Sequence, residues 1–205
     1  MEKNDKIIAV LSVALVLSLM GWASSTLPAL QGATGAATSV TPESQVTIQK
    51  YFSINASNNL SAGIDFGTIE TLPSDDVNAS LNYNDTNYPA ENDGNESLYW
   101  ITVETDSNTA VDLCVIASTL NTSGGVEIEI GNYTFANNQT NDMNLPGPVD
   151  QFTMSTSSYV AADSNISVGS NSYFRFWLDV PATQPTGTYN NTVTILGVSY
   201  GVSCP

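Results

Sequence analysis

Apolar and polar residues alternate along much of the chain after residue 45, and this pattern predicts β-strands. A strand places every second side chain on the same face, so alternate apolar residues mark the face that turns toward a core. The predicted inward residues fall into five sets: Val46, Ile48, Phe52 and Ile54; Tyr99, Ile101 and Val103; Val111, Leu113 and Val115; Phe174, Phe176, Leu178 and Val180; and Tyr189, Val193 and Ile195.

Turn-forming residues separate these runs, and residues 181–187, "PATQPTG", are typical of a connection between two strands. Outside the N-terminus, no stretch of ten or more residues has helical periodicity. Short strands joined by Gly, Pro, Asn and Ser turns are typical of antiparallel sandwiches. The sequence therefore predicts an all-β, Ig-like or jelly-roll-type antiparallel β-sandwich that follows an N-terminal signal segment.

The N-terminus has the pattern of an export signal. "MEKNDK" carries two lysines, and the apolar run "IIAVLSVALVLSLMGWA" follows it. A basic start, an apolar stretch and small residues at its end predict a signal peptide over residues 1–23. The run is also close to the length of a membrane span, so an uncleaved anchor is the alternative. A pilin-type cut before Ile7 is disfavoured because Lys6 precedes it and Pro28 would break the helix that such pilins need.

The rest of the chain divides into a leader and one domain. Residues 24–44 are small and carry no charge before Glu43, which is typical of a flexible leader or of a strand donated to another subunit. Residues 45–205 are enough for a single sandwich. Lys50 has the inward parity of its predicted strand. Three alternatives are open: a packed stem with an outward amine, an isopeptide bond to an asparagine, or a bulge at Tyr51-Phe52 that turns the side chain outward.

The composition excludes several partners and most enzyme chemistry. The net charge is −16, with basic residues only at Lys3, Lys6, Lys50 and Arg175. Nucleic acids and anionic lipids would repel such a chain, so nucleic acid is not expected as a partner, and the membrane is a partner only through an uncleaved N-terminal segment. The chain has no histidine, which is the commonest acid–base group and zinc ligand. We predict that the protein is not an enzyme.

Glycosylation signals and the two cysteines indicate export. Cys114 and Cys204 predict a single disulfide, because no histidine or third cysteine supports a metal site. The motif Asn-x-Ser/Thr occurs ten times, in an excess that favours an exported glycoprotein. Its asparagines are Asn55, Asn59, Asn78, Asn84, Asn95, Asn121, Asn132, Asn138, Asn165 and Asn190.

Residues 72–97 form an acidic, Asn-rich stretch that offers ligands for a hard cation. Ca²⁺ prefers six to eight oxygen ligands from carboxylates, amides and carbonyls. The spacing does not match an EF-hand, so a solvated, glycosylated loop is the alternative. No other cofactor is expected. The candidate ligands of a structural Ca²⁺ are Asp75, Asp76, Asp85, Glu91 and Asp93.

Tyr173, Arg175 and Trp177 share the outward parity of their predicted strand. A row of two aromatic rings and a guanidinium favours cation–π contacts. Three interpretations remain open at this point: the row stabilises its own strand beneath a loop, it meets a neighbouring subunit, or it stacks on sugar rings.

The unit "YFRFWLDVPATQPTGTYNNTVTI" resembles the closing strands of exported Ig-like sandwiches. The signal followed by "SQVTIQKYFSINASNNLSAGIDFGTI" is similar to archaeal surface filament subunits of the bundling-pilus type and, more remotely, to the TasA/camelysin biofilm-fibre proteins. This resemblance implies subunits that polymerise by donor-strand exchange. The leader residues with suitably small side chains at alternate positions are Ala33, Gly35, Ala37 and Ser39.

These observations predict a structural subunit of an extracellular filament, a pilus or matrix fibre on the cell surface, whose main partners are copies of itself. The alternative is a calcium-dependent module that binds surface glycans or mediates adhesion, or a component of a surface layer.

Overall fold

The computed structural model describes residues 45–83, 91–92, 94, 96–141 and 151–205. The chain divides into two compact units, Met1–Thr47 and Ile48–Pro205, and the secondary structure described here belongs to the second. Its strands are β1 (Ile54–Ala56), β2 (Ser74–Asn78), β3 (Tyr99–Val103), β4 (Val111–Ala117), β5 (Leu120–Asn121), β6 (Glu127–Ile128), β7 (Tyr133–Asn138), β8 (Phe152–Thr153), β9 (Val160–Ile166), β10 (Asn171–Val180) and β11 (Val193–Ser199).

Helical structure in the described residues is limited to short turns. The α-helix α1 spans Asn58–Ala62, and a 3-10 helix spans Ile130–Asn132. Ser57 caps α1, since its hydroxyl oxygen accepts the backbone N–H of Leu60 at 3.1 Å. The all-β class predicted from the alternating pattern is therefore confirmed.

Two antiparallel sheets pack face to face. The large sheet has the order β1-β3-β10-β7-β8, and β2 also pairs with β10. The small sheet has the order β11-β4-β9, and β5 and β6 form a separate two-stranded ribbon. The inner faces of the large and small sheets meet in one apolar core, which is the arrangement of a β-sandwich.

The core contains most of the residues predicted to point inward. Tyr99, Ile101 and Val103 alternate with less buried neighbours along β3, as an inward and outward alternation requires. The predicted inward sets of β4 and β10 are buried as well: Val111, Leu113, Val115, Phe174, Phe176, Leu178 and Val180. Tyr189, Val193 and Ile195 pack against this core but are only partly buried.

The first predicted strand is mostly wrong. Only Ile54–Ala56 is a strand, and residues 45–50 have no regular structure. Val46 and Ile48 are 83% and 79% exposed, so they do not join the core. Lys50 is also exposed, contrary to its inward parity. Alternation describes a strand only where another strand lies beside it, and within the described residues β1 begins at Ile54, where pairing with Val103 begins.

β10 is the central strand of the large sheet. One edge pairs with β7 along Tyr173–Leu178. The other edge pairs first with β3, over Asn171–Phe174, and then with β2, beginning at Trp177. Backbone groups between these two pairings are met by the segment that joins β2 to β3, because the Ser97 hydroxyl donates to the Phe174 carbonyl and the Ala79 N–H donates to the Phe176 carbonyl at 3.0 Å.

Candidate functional site

The outer face of the large sheet carries the aromatic row that the sequence singles out. Phe174, Phe176 and Leu178 of β10 point into the core, so Tyr173, Arg175 and Trp177 lie on the opposite face. On β3, Trp100 lies opposite Tyr173, and on β7 Asn138 lies opposite it on the other side. The outer face therefore brings Trp100, Tyr173 and Asn138 into one cross-strand row.

Trp100 and Tyr173 form a half-buried aromatic pair. Their ring centroids are 6.2 Å apart and their planes are tilted by 54°. The Tyr173 hydroxyl accepts a hydrogen bond from the Asn171 side-chain nitrogen at 2.9 Å, and the Thr102 hydroxyl donates to the Asn171 side-chain oxygen at 2.7 Å. This chain of hydrogen bonds across β3 and β10 fixes the orientation of the tyrosine ring.

Arg175 and Trp177 share the outward parity of the row but are not exposed, so neither can meet a neighbouring subunit or a sugar ring directly. Both are 0% exposed. The guanidinium carbon of Arg175 lies 3.6 Å from the centre of the Tyr83 ring and 4.8 Å from the Trp177 ring. Tyr83 belongs to the segment that follows β2 and covers this part of the sheet. Of the three sequence interpretations, a row stabilised beneath a loop describes Arg175 and Trp177, and only Tyr173 remains accessible.

The predicted glycosylation sites differ in their surroundings. Asn55, Asn165 and Asn190 are exposed, and Asn165 has the left-handed φ of 56° that asparagine tolerates. Asn59, Asn121, Asn132 and Asn138 are partly buried. Asn84 and Asn95 lie outside the described residues. The eight sequon asparagines that the structure describes therefore differ in how accessible they are to a glycosylating enzyme.

Asn78 is the least accessible sequon asparagine in the described chain. It is 9% exposed, and its side-chain oxygen accepts a hydrogen bond from the Asn82 side-chain nitrogen at 2.7 Å. A bulky sugar cannot be attached at this position without displacing the segment that covers β2. The structure therefore argues against Asn78 as a glycosylation site, although its sequence pattern is correct.

The predicted Ca²⁺ ligands are only partly described, because Asp85 and Asp93 lie outside the described residues. Asp75 and Glu91 are exposed, and Asp76 is half-buried at the edge of β2. No group of three or more acidic or cysteine residues in the described ranges is arranged to hold a metal ion. Asp75, Asp76 and Glu91 alone thus do not form a cation site, and the Ca²⁺ hypothesis depends on the other two.

Asp76 has an unusual environment. Its φ is 52°, and its backbone N–H donates to the Asp179 carboxylate at 2.7 Å. Partial burial, followed by the negative charges of Asp179 and Asp75, raises the pKa of Asp76 above its ordinary value, while a hydrogen bond with Gln151 opposes the shift. This carboxyl group therefore ionises less readily than a free aspartate.

Two core tyrosines are held in the neutral form. Burial raises the pKa of Tyr99 and, more strongly, that of Tyr133, and both side chains lie in the core. Their rings contact Phe176, with centroid distances of 5.5 Å for Tyr99 and 6.3 Å for Tyr133. These phenols serve packing, and neither is poised to act as a base.

The predicted disulfide is confirmed. Cys114 and Cys204 are bonded, with their Cα atoms 5.8 Å apart. Cys114 lies on the outer face of β4, opposite Leu196 of β11. The bond therefore fastens the segment after β11 across the outside of the small sheet. Asp112 holds the same segment, because its carboxylate accepts the backbone N–H of Gly201 at 2.9 Å.

The two outer strands of the small sheet pair on one side only within the described residues. β11 pairs with β4 from Val193 to Ser199, and β9 pairs with β4 on its other side. The inward residues of β11 are less buried than their partners. Val115 and Ala117 are 0% and 3% exposed, whereas Ile195 and Val193 opposite them are only partly buried. Val193 and Ile195 therefore keep some exposed apolar surface next to the edge of β11 with which no described strand pairs.

Three residues that complete the outer face of the large sheet were missed by sequence reasoning. Trp100 could have been identified from the sequence, because it alternates with the inward residues Tyr99 and Ile101 and therefore lies on the outer face of β3. Tyr83 and Asn82 are not, because they lie in the irregular segment after β2, where no periodicity indicates direction. The leader residues Ala33, Gly35, Ala37 and Ser39 lie outside the described residues.

Comparisons with known proteins leave the family open. No model of a known protein family matches the chain, and no curated protein matches it with significant similarity. In the described parts of the chain, no helix is both long enough and apolar enough to span a membrane. The function must therefore be inferred from the residues and surfaces described above.

Proposed function

We propose that this protein is an exported structural subunit of an extracellular filament, and that the segment ahead of its sandwich completes the small sheet of a second copy. The free edge of β11 is the observation that carries the proposal. An unpaired edge beside a partly exposed apolar strip favours addition of a strand from another chain.

Residues 45–50 alternate apolar and polar side chains as a strand does, and no other strand of the described residues pairs with them. Val46 and Ile48 alternate with Thr47 and Gln49, and both apolar side chains are largely exposed. An isolated exposed valine or isoleucine is ordinary, but two at alternate positions form one apolar face of a strand. The donated strand would include this segment as well as part of residues 24–44.

The energetics favour such an exchange. Each ladder hydrogen bond contributes about 0.5–1.5 kcal/mol net, and burying each aliphatic side chain contributes about 1.5–3 kcal/mol. A strand of about seven residues that buries two aliphatic side chains can therefore hold a contact that is stable at low subunit concentration. Val193 and Ile195 of the receiving copy lose exposure at the same time.

The charge of the surface sets a condition on assembly. Among the described residues the basic side chains are Lys50 and Arg175, and Arg175 is buried. Copies of a chain with a net charge of −16 repel one another at neutral pH. Salt screens this repulsion and acid removes part of it, so filaments should form more readily at high ionic strength or low pH.

The decisive test compares two double variants of opposite parity. Val46→Asp with Ile48→Asp places charge on the apolar face of the segment, while Thr47→Asp with Gln49→Asp adds the same charge to the other face. Negative-stain electron microscopy of secreted protein should show filaments for the wild type and the second variant and monomers for the first. Circular dichroism should show that all three are folded.

Two outcomes would overturn the proposal. Normal filaments from the Val46/Ile48 variant would show that the apolar face is not buried on assembly. Equal loss of filaments in both variants would show that added charge, rather than a strand with two distinct faces, decides assembly. Deleting residues 24–40, with the signal and its cleavage site kept, then maps how much of the leader takes part.

A further inference from the structure

One sequon lies beside the accessible aromatic pair. Asn138 of β7 is directly opposite Tyr173 of β10, and Tyr173 is directly opposite Trp100 of β3. Directly opposite residues on one face of an antiparallel pair have Cβ atoms about 4.5–5.5 Å apart. A group attached to the Asn138 side chain therefore begins within one sugar's width of the Tyr173 ring.

The local geometry of Asn138 differs from that of Asn121, which is also a partly buried sequon asparagine. Its side-chain oxygen accepts the backbone N–H of Thr140, the third residue of the same sequon, at 3.3 Å. The bond uses the oxygen, whereas a glycan is attached to the nitrogen. At Asn121, by contrast, the side-chain nitrogen itself donates to the Thr119 hydroxyl at 2.8 Å. Asn138 is thus better placed for modification than Asn121.

We propose that Asn138 carries an N-linked glycan and that the first sugar of this glycan packs against the Trp100–Tyr173 pair. One face of a pyranose ring presents C–H groups with partial positive charge, and the face of an aromatic ring is negative, so the two attract. The hydrogen bonds from Asn171 to Tyr173 and from Thr102 to Asn171 hold the tyrosine ring in place before the sugar arrives. The sugar then covers aromatic surface that is otherwise exposed to water.

The modification itself follows ordinary transfer chemistry. A glycosyl group passes from a lipid-linked phosphate donor to the Asn138 side-chain nitrogen, where a bond to the sugar's anomeric carbon forms and the lipid phosphate leaves. The nitrogen loses one proton in the same step. This inference rests on the export included in the proposed function, because only an exported chain meets that donor, but it does not depend on filament formation.

The matched variants for a test lie at Thr140, which is exposed. Thr140→Ala destroys the sequon without altering Asn138 or the aromatic pair, and Thr140→Ser keeps it. In protein taken from the native surface, glycopeptide mapping should find a sugar at Asn138 in the wild type and in Thr140→Ser. Both should melt about 2 °C above Thr140→Ala, which is the scale of a modest contact in a domain of this size.

The aromatic pair is tested by coupling. In a Tyr173→Leu background, or in Trp100→Leu if the first variant does not fold, the melting difference between Thr140→Ser and Thr140→Ala should vanish. In unglycosylated protein from a bacterial host, Thr140→Ala and the wild type should have the same melting temperature. Nuclear Overhauser contacts between the Tyr173 ring and the first sugar of the wild-type glycoprotein provide a readout that needs no substitution in the aromatic pair.

Three results would overturn the inference: an unoccupied Asn138 in native protein, a glycan effect that is unchanged when either ring is removed, or no contact between the Tyr173 ring and the sugar. If native protein forms no filaments but Tyr173→Leu abolishes the melting difference, the proposed assembly is wrong and the proposed contact between sugar and aromatic pair is supported. The two ideas therefore fail separately.

Discussion

The side-chain amide of Asn82 pairs with the backbone of Phe176 in the way that a neighbouring strand would. Its nitrogen donates to the Phe176 carbonyl at 2.8 Å, and its oxygen accepts the Phe176 N–H at 3.0 Å. Asn82 is 0% exposed and fills the place on the edge of β10 between the partners β3 and β2. The Phe176 carbonyl also accepts the Ala79 N–H, so the group that depends on Asn82 for its hydrogen bond is the Phe176 N–H.

Asn82→Asp should strongly destabilise the domain. The substitution keeps the shape but replaces the donor that faces the Phe176 carbonyl and the Asn78 side-chain oxygen with a charged acceptor. Burying such a mismatch should cost about 3 kcal/mol or more in the free energy of unfolding, measured by urea denaturation at pH 7. Asn58→Asp adds the same charge at an exposed position and should change stability by less than about 0.5 kcal/mol. Equal effects of the two substitutions would contradict the pairing.

Arg175→Lys should destabilise the protein even though the charge is retained. The planar guanidinium lies over the Tyr83 ring and also contacts the Trp177 ring, and a lysine ammonium on a flexible stem cannot make both contacts equally well. A desolvated cation–π contact contributes about 2 kcal/mol or more, so a loss of that order is expected in chemical denaturation. Lys50→Arg at the exposed basic position is the control and should be nearly neutral. A stable Arg175→Lys protein would show that the stacking contributes little.

Removing the disulfide by Cys114→Ala together with Cys204→Ala should lower the free energy of unfolding by about 2–5 kcal/mol. The local effect should be larger at the segment after β11, where the Gly201 N–H depends on its bond to Asp112. Hydrogen exchange at Gly201 should accelerate more than exchange in β10. Reduction of the wild-type protein should reproduce the result. Unchanged protection at Gly201 would show that Asp112 alone retains the segment.

Asp76→Asn should raise the free energy of unfolding more at pH 7 than at pH 3. The folded-state pKa of Asp76 is raised above the ordinary value of 3.8, so ionisation costs more in the folded than in the unfolded state. The stability linked to this group is complete below pH 3.8 and is lost as the pH rises through the folded-state pKa. Because Asp76 is only half-buried and solvent screens its charge, the gain should be below about 1 kcal/mol. Thermal melts at the two pH values measure it, and a gain that is the same at both would refute the linkage.

Glycan occupancy should follow exposure in native protein. Asn165 and Asn190 should be modified in most molecules, whereas Asn78 should be unmodified, because its side chain is buried against Asn82. Site-resolved mass spectrometry of glycopeptides provides the measurement. Asn82→Ala uncovers Asn78 and is expected to increase its occupancy. A heavily modified Asn78 in the wild type would mean that sugar is added before the segment after β2 closes over it.

The fold could be predicted where apolar residues on one face of a strand alternate with polar residues on the other. β3, β4 and β10 have apolar residues at alternate positions and are paired on both sides, so the residues predicted to point inward are buried. The disulfide was predictable because the chain has only two cysteines. In both cases the information lies in the residues themselves and does not depend on how a distant segment folds.

The rest depended on segments that the pattern does not describe. Val46 and Ile48 alternate correctly but are exposed, because a period of two says which face a residue shares and not whether a sheet lies against it. Arg175 and Trp177 have outward parity and are nevertheless buried, because the irregular segment with Asn82 and Tyr83 covers them. The sequence of a strand determines which face each side chain lies on, but it does not show whether a loop from elsewhere in the chain covers that face.

If copies of the chain join through β11 as proposed, the bond between Cys114 and Cys204 would also affect how the small sheet carries a mechanical load. In a chain of subunits joined through β11, tension reaches β11 first and would peel it from β4 one hydrogen bond at a time. The cross-link ties the segment just beyond β11 back to the centre of β4, so an unzipped β11 cannot move far from its neighbour and can pair again when the tension falls. A filament of such subunits would yield and recover instead of unravelling.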